Sequence, residues 1–98
     1  EREMLDWGNP LARVLHAGVA SIRGHIPEAT RLLQVAEEEF SRADMALYSA
    51  VAKRRRGELT GGDEGRALVG EADGWMLSEG IQNPNGMATM LAPGRWSV

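Results

Sequence analysis

The stretch NPLARVLHAGVASIRGHIPEATRLLQVAEEEF, residues 9–40, decides the fold class. Asn9 and Pro10 are typical of the first turn of a helix, and Gly24 ends the apolar periodicity that follows them. Within this first helix, apolar residues recur at spacings of three and four, which predicts one apolar stripe. The stripe consists of Leu11, Val14, Leu15, Gly18, Val19 and Ile22.

Two further helices are predicted from the same kinds of start signal and apolar spacing. The second begins near Pro27, because the fixed φ of proline suits a first helical turn. The third is predicted from Asp44, as its N-cap, to Thr60, with Arg55 interrupting an otherwise apolar face. The apolar face of the second helix is Ala29, Leu32, Leu33, Ala36 and Phe40.

A fourth helix is predicted from Asp63, as its N-cap, to Gly80, and a short fifth helix after Asn83 and Pro84. No stretch alternates with period two among β-branched residues, so we expect no strands. The fold class is therefore all-α, with antiparallel helix hairpins because the connections are short. The apolar residues of the fourth helix are Leu68, Val69, Ala72, Trp75 and Met76.

The second and fourth helices share an apolar pattern at a shift of 36 residues, near the period of helix-pair repeats. The pattern favours a short repeat array over a closed bundle. It divides the chain into residues 1–8 as the end of a preceding helix, 9–44 as a first helix-pair repeat, 45–84 as a second, degenerate repeat, and 85–98 as a short C-terminal helix and tail.

The stretch LYSAVAKRRRGELTGGDEGRALVGEADGWMLSEGIQNPNGMATMLAPG, within residues 46–94, resembles the C-terminal tail of large bacterial serine/threonine-kinase and ATPase regulators. In those proteins degenerate tetratricopeptide repeats follow a sensor or kinase module, and residues 10–45 resemble the preceding repeat. The separation of Gly57 from Ala72 is longer than the standard repeat allows, and Arg56 stands where the repeat has leucine. The resemblance assigns repeat-signature packing roles to Gly57, Ala72, Met76 and Pro84.

This resemblance implies a tetratricopeptide-like α-solenoid that binds a protein or peptide and contacts upstream domains of the same polypeptide. The function expected is a non-catalytic interaction module of a cytoplasmic signalling protein, with no enzymatic activity and no cofactor. The alternative is a structural cap that closes the end of a longer solenoid and has no partner of its own. Met4, Leu5 and Trp7 are expected to pack on an upstream repeat, or to drive formation of a homodimer if that repeat is missing.

The dense basic run Lys53, Arg54, Arg55 and Arg56 has two readings. It is either a docking patch for an acidic protein segment or a solvated face paired with Glu58, Glu64 or the acidic residues 37–39. Four consecutive residues of a helix cannot all face one way, and we expect Arg55 to be partly buried beside a carboxylate. The docking role stays open at the level of sequence.

The sequence gives little support for a catalytic, metal-binding or nucleic-acid-binding function. The glycine-rich Gly61–Gly65 segment resembles the diguanylate cyclase signature, yet here it joins two helices. His16 and His25 have no companions at metal-ligand spacing, so no metal site is expected. The net charge of −3 makes nucleic-acid binding through residues 53–56 unfavourable, and no apolar run is long enough for a membrane span. Without cysteine, the chain has neither disulfides nor a thiolate nucleophile.

Overall fold

Five helices follow one another along the chain, and each of the first four packs against the next. The computed structural model describes residues 9–92 and Trp96. All regular secondary structure among these residues is α-helical: α1 Pro10–Ile22, α2 Ile26–Arg42, α3 Ala46–Thr60, α4 Gly62–Ser78 and α5 Pro84–Leu91. The all-α prediction is confirmed.

The packing follows the chain order. Helix α2 lies between α1 and α3, α4 packs on the other side of α3, and α5 contacts both α3 and α4. The connections are short, which forces consecutive helices to run antiparallel. Two hairpins therefore stand side by side, and the short α5 packs on α3 and α4.

The core runs through these interfaces as a strip of small and medium side chains. All five residues predicted for the inner face of α2 are buried, and the Phe40 ring stacks on Tyr48 with 5.3 Å between ring centroids. Of the other core candidates, Met76 is fully buried and Trp75 is half-buried. Helix α1 contributes Val14, Ala17, Gly18, Ala20 and Ser21.

Two N-caps are as the sequence predicts. The Asn9 side-chain oxygen accepts a hydrogen bond of 2.8 Å from the Leu11 amide at the start of α1. The Asn83 side chain accepts one of 3.0 Å from the Gly86 amide at the start of α5. Each satisfies a backbone donor that the first helical turn leaves unpaired.

The predicted N-caps at Asp44 and Asp63 are wrong. Helix α3 begins after Met45, and Asp44 belongs to the end of α2, where it adopts a left-handed φ of 63°. Helix α4 begins after Gly61, so Asp63 lies inside its first turn and makes no capping hydrogen bond. Its carboxylate still sits favourably at the positive end of the helix dipole.

Three helices end in the same left-handed turn. Gly24, Asp44 and Gly80 have φ of 80°, 63° and 88°, and each follows the C-cap residue of α1, α2 or α4. This is the Schellman arrangement, in which the amide one residue later donates back into the last turn. The bonds run from His25 to Ala20, from Met45 to Phe40 and from Ile81 to Met76, at 2.8, 2.8 and 3.0 Å.

Asp44 is therefore expected to be a suboptimal residue in its turn. Because an L-residue is strained at this φ and glycine is not, Asp44→Gly should raise the free energy of unfolding by about 0.5–1 kcal/mol. Urea denaturation at an unchanged m-value measures this. The control is Gly24→Ala at the equivalent position of the first turn, where a Cβ meets nothing within 4 Å, and it should lower stability by about 1 kcal/mol. A loss of stability in Asp44→Gly would contradict this account of the turn.

Helices α3 and α4 approach each other most closely at a pair of glycines. A Cβ placed on Gly57 would lie 2.7 Å from the carbonyl oxygen of Gly65 and 2.9 Å from the Leu68 Cβ. The Gly61 turn between the helices is the shortest connection in the described chain. The missing side chains therefore allow the two backbones to meet directly after the turn.

We predict that Gly57→Ala lowers the free energy of unfolding by about 2–3 kcal/mol, because the obstacle is backbone that cannot move aside. The matched control is Gly74→Ala, also within a helix, where an added Cβ meets nothing within 4 Å. That substitution should stabilise the protein by about 0.5–1 kcal/mol through helix propensity. Equal effects of the two substitutions in thermal or urea unfolding would refute a specific close approach at Gly57.

Candidate interaction surface

The basic run of α3 is a set of internal ion pairs. Lys53 lies 3.3 Å from a carboxylate oxygen of Glu71 on α4 and 3.8 Å from one of Glu37 on α2. Arg56 donates to the same Glu37 at 2.8 Å and 3.1 Å. Glu37 therefore holds two cations of α3 against α2.

Arg54 reaches α4 and α5. It donates to Asp73 at 2.7 Å and to the Asn85 side chain at 3.4 Å, and it also pairs with Glu58 one turn along its own helix. Its side chain is only 11% exposed. Arg54 thus joins three helices through one guanidinium.

Arg55 is the buried member of the run, at 5% exposure. It donates to Glu58 at 2.7 Å and to the Ala92 carbonyl at 3.1 Å, and its guanidinium carbon lies 5.4 Å from the centre of the Trp96 ring. The Trp96 indole N–H donates to the same Ala92 carbonyl at 2.8 Å. Ala92 and Trp96 are therefore held on α3 by Arg55, the first through a hydrogen bond and the second through a cation–π contact.

These contacts favour the interpretation of the basic run as internal ion pairs over its interpretation as a docking patch. The sequence analysis named Glu58 and the acidic residues 37–39 as partners, and Glu58 and Glu37 are among those observed; the Arg55 prediction is confirmed. No ion pair joins Glu64 to the run among the pairs of the described residues. A docking role for residues 53–56 stays a prediction, and it would require breaking pairs that hold the helices together.

The four repeat-signature residues occupy structural positions. Gly57 lies at the close approach described above, and Ala72 and Met76 are buried at 1% and 0% exposure. Pro84 occupies the first turn of α5. These four residues contribute to the packing of α3 on α4 and to the start of α5.

Candidate catalytic and metal-binding groups do not converge in the part of the chain that the structure describes. No three His, Cys, Asp or Glu side chains of residues 9–92 lie together as a metal site. Within the Gly61–Gly65 segment, Asp63 pairs with Arg66 on the protein surface. His16 is exposed on α1, and His25 lies in the turn between α1 and α2.

A shallow cleft of about 200 Å³ opens where the end of α2 meets α3 and α4. Its floor is made of small side chains, and the half-buried Trp75 forms one wall. The Lys53–Glu71 ion pair bounds it. The lining residues are Ser41, Ala46, Ser49, Ala50, Lys53, Glu71, Ala72 and Trp75. Its size is below the range of about 300–1,000 Å³ that is usual for small-molecule sites.

The strongest surface feature is an exposed apolar stripe on α1, formed by Leu11, Leu15, Val19 and Ile22. These side chains are 43%, 66%, 49% and 61% exposed. On a helix of 3.6 residues per turn they fall within about 80° of one another. Their arc borders the residues of α1 that pack on α2, so the apolar surface of α1 extends from its buried side onto its exposed side.

The apolar residues predicted for α1 are only partly buried. Two of the six, Val14 and Gly18, pack inward, and the other four form the exposed stripe. The spacing rule detected apolar residues correctly but could not divide them between two faces. The small residues of α1 were the signal that the sequence analysis missed. Ala17, Ala20 and Ser21 pack on α2, so the larger apolar residues are not all needed for that interface.

Comparisons with protein-family models, with curated proteins and with solved structures found no match. No helix among the described residues has the length and apolar character needed to cross a bilayer. Functional inference therefore starts from the geometry of these surfaces.

Arg55→Ala is expected to lower the free energy of unfolding by about 2–4 kcal/mol, because it empties a buried site and releases Trp96 from α3. The control is Arg66→Ala, which removes an exposed i,i+3 pair with Asp63 and should change stability by less than about 0.5 kcal/mol. Urea unfolding followed by tryptophan fluorescence measures both. Similar small effects would show that the buried pair does not contribute to stability.

Proposed function

We propose that the chain is a non-catalytic protein–protein interaction module whose docking face is the exposed stripe of α1. The observation that carries this proposal is that the apolar surface of α1 continues from its buried side onto its exposed side. Exposed apolar area of this kind is unfavourable in water, so a helix that is apolar beyond its packed face is expected to be covered by a further surface. Contiguous exposed apolar residues on a soluble protein are typical of interaction sites.

The energy available at the stripe is moderate. Full burial of one such side chain is worth about 1.5–3 kcal/mol, so covering four half-exposed ones contributes roughly 3–6 kcal/mol. Association of two free molecules costs about 4–15 kcal/mol. The stripe can therefore anchor a partner, but an untethered partner must also contact neighbouring surface.

The charges around the α1 stripe indicate which kind of partner surface it would fit. Helix α1 contains Arg13 and His16 but no Asp or Glu, and Arg23 follows it directly. Arg13 is already paired with Glu39 of α2 at 2.7 Å. Arg23 lies beside the stripe on the helix surface, and it favours a partner with an apolar face flanked by neutral or acidic groups.

A structural cap is the second candidate, and a separate observation favours it. The far end of the array is covered by α5 and by Trp96, which is 3% exposed against Arg55. A solenoid needs a terminal unit with a covered outer face. Under the structural-cap hypothesis, the α1 stripe packs on a preceding helix of the same polypeptide, and the module binds no other protein.

The finer assignment comes from the resemblance to the tetratricopeptide-like tails of large bacterial kinase and ATPase regulators. Two helix hairpins packed in chain order support it, since each repeat of such an array contacts its neighbours. On this proposal the module serves a signalling protein of the bacterial cytoplasm. The resemblance alone carries the signalling role and the location.

The test is affinity capture from source-cell lysate with the full chain and the variant Leu15→Glu as baits. Leu15 is the most exposed residue of the stripe, and a carboxylate there should reduce retention of a true partner at least tenfold. The control is Leu77→Glu, which changes another exposed leucine, on α4. Circular dichroism confirms that all baits are folded.

A protein retained by the wild type and by Leu77→Glu but lost by Leu15→Glu supports the docking face on α1. Retention that Leu15→Glu leaves unchanged would refute this face as the site. If no folded bait retains a specific protein, the structural cap becomes the better explanation. Substituting Arg54–Arg56 would not map a site, because those residues hold the fold together.

A further inference from the structure

A second shallow cleft, of about 210 Å³, lies between α1 and α2. None of its lining residues belongs to the exposed stripe of α1. A cleft of this size is below the range of about 300–1,000 Å³ that is usual for small-molecule sites, so it suits one small group. Its walls are mostly charged or titratable. The lining residues are Arg13 and His16 from α1, and Glu28, Arg31 and Leu32 from α2.

Arg31 makes this cleft a candidate binding site. Its side chain is exposed, and none of the ion pairs among the described residues involves it. Glu28, three residues earlier on the same helix, forms no ion pair with it. A guanidinium has five N–H donors in one plane and is always charged. Arg31 therefore brings an uncompensated positive charge to the cleft.

Arg13 lines the same cleft from the other helix. It donates to Glu39 of α2 through Nε at 2.7 Å and through Nη2 at 3.2 Å. The two bonds hold the guanidinium in place, and neither of them uses Nη1. Glu39 offsets much of the Arg13 charge, so Arg31 supplies most of the attraction for an anion. Arg13 contributes a donor that is already positioned, which lowers the entropic cost of binding.

The charge of the surrounding sequence also favours an anion. Residues 9–31 contain three arginines, Arg13, Arg23 and Arg31, against the single carboxylate of Glu28, which gives a net charge of +2 with histidine neutral. The chain as a whole has a net charge of −3. This stretch is therefore the basic part of an acidic protein, and its field attracts anions. Glu28 opposes that attraction within the cleft.

We propose that the cleft between α1 and α2 binds a phosphate group through Arg31 and Arg13. A phosphate group carries more negative charge than a carboxylate, and its three terminal oxygens can accept hydrogen bonds from guanidinium groups on both helices. Because the cleft is separate from the α1 stripe, this inference goes beyond the proposed function. The phosphate group is either free inorganic phosphate or a phosphorylated side chain of another protein.

The test is a titration of the ¹⁵N-labelled full chain with inorganic phosphate near pH 7, in which phosphate replaces chloride at constant ionic strength. We expect saturable shifts of the amide signals around the cleft, with a Kd on the order of millimolar. Arg31→Gln should raise this Kd about tenfold, because it removes a charged hydrogen-bond donor. Glu28→Gln should lower it about threefold, because it removes a nearby negative charge. Glutamine keeps the helix propensity at both positions.

The matched control is Arg42→Gln, which removes another exposed arginine of α2 that has no ion pair among the described residues. It should change the Kd by less than about twofold, because a charge far from the cleft is screened by salt. Equal weakening by Arg31→Gln and Arg42→Gln would overturn the proposal, since it would indicate only general attraction to a charged surface. Shifts that do not saturate would overturn it as well.

A second titration distinguishes the two sources of the phosphate group. It uses a short peptide with blocked ends, in which phosphoserine is the only charged residue, and the unphosphorylated peptide should not bind. Tighter binding of the phosphopeptide than of inorganic phosphate supports a phosphorylated protein as the source, and weaker binding supports the free ion. Because neither titration depends on the α1 stripe, their outcomes are separate from that of the capture experiment.

Discussion

A guanidinium buried in the middle of α3 is the constraint on which the rest of the structure depends. Arginine cannot shed its proton, so a side chain that is 5% exposed needs a carboxylate and full hydrogen bonding at that place. Glu58 supplies the charge, while the Ala92 carbonyl and the Trp96 ring come from the far end of the chain. The chain after α5 must therefore return to α3.

The two ends of the array differ for the same reason. At the C-terminal end, polar contacts of Arg54 and Arg55 draw α5 and Trp96 onto α3, and the helix faces there become covered. At the other end, α1 is held by its small residues and by the Arg13–Glu39 pair, both directed at α2. Nothing in the described chain lies over the outer side of α1, and its apolar residues remain the strongest indication of an interaction.

Local patterns predicted much of this fold. The inner face of α2, the caps at Asn9 and Asn83, and the buried Arg55 all follow from spacing and residue type. The caps at Asp44 and Asp63 failed because one acidic residue suits either a helix start or the turn before it, and only the backbone decides. The exposed side of α1 was missed because periodicity cannot tell which neighbour a face meets. Pairs such as Arg54–Asp73 depend on the packing of separate helices.

The shared carboxylate of Glu58 also limits how this sequence can change over evolutionary time. Because Arg54 and Arg55 both pair with it, the effect of losing either arginine depends on whether the other is present, and their substitutions should not be additive. Loss of Glu58 first would leave two cations crowded against the packed side of one helix. Replacement of an arginine before Glu58 is therefore less harmful than the reverse order. The effect of each substitution in the cluster depends on the others, although the sequence shows only a run of similar charges.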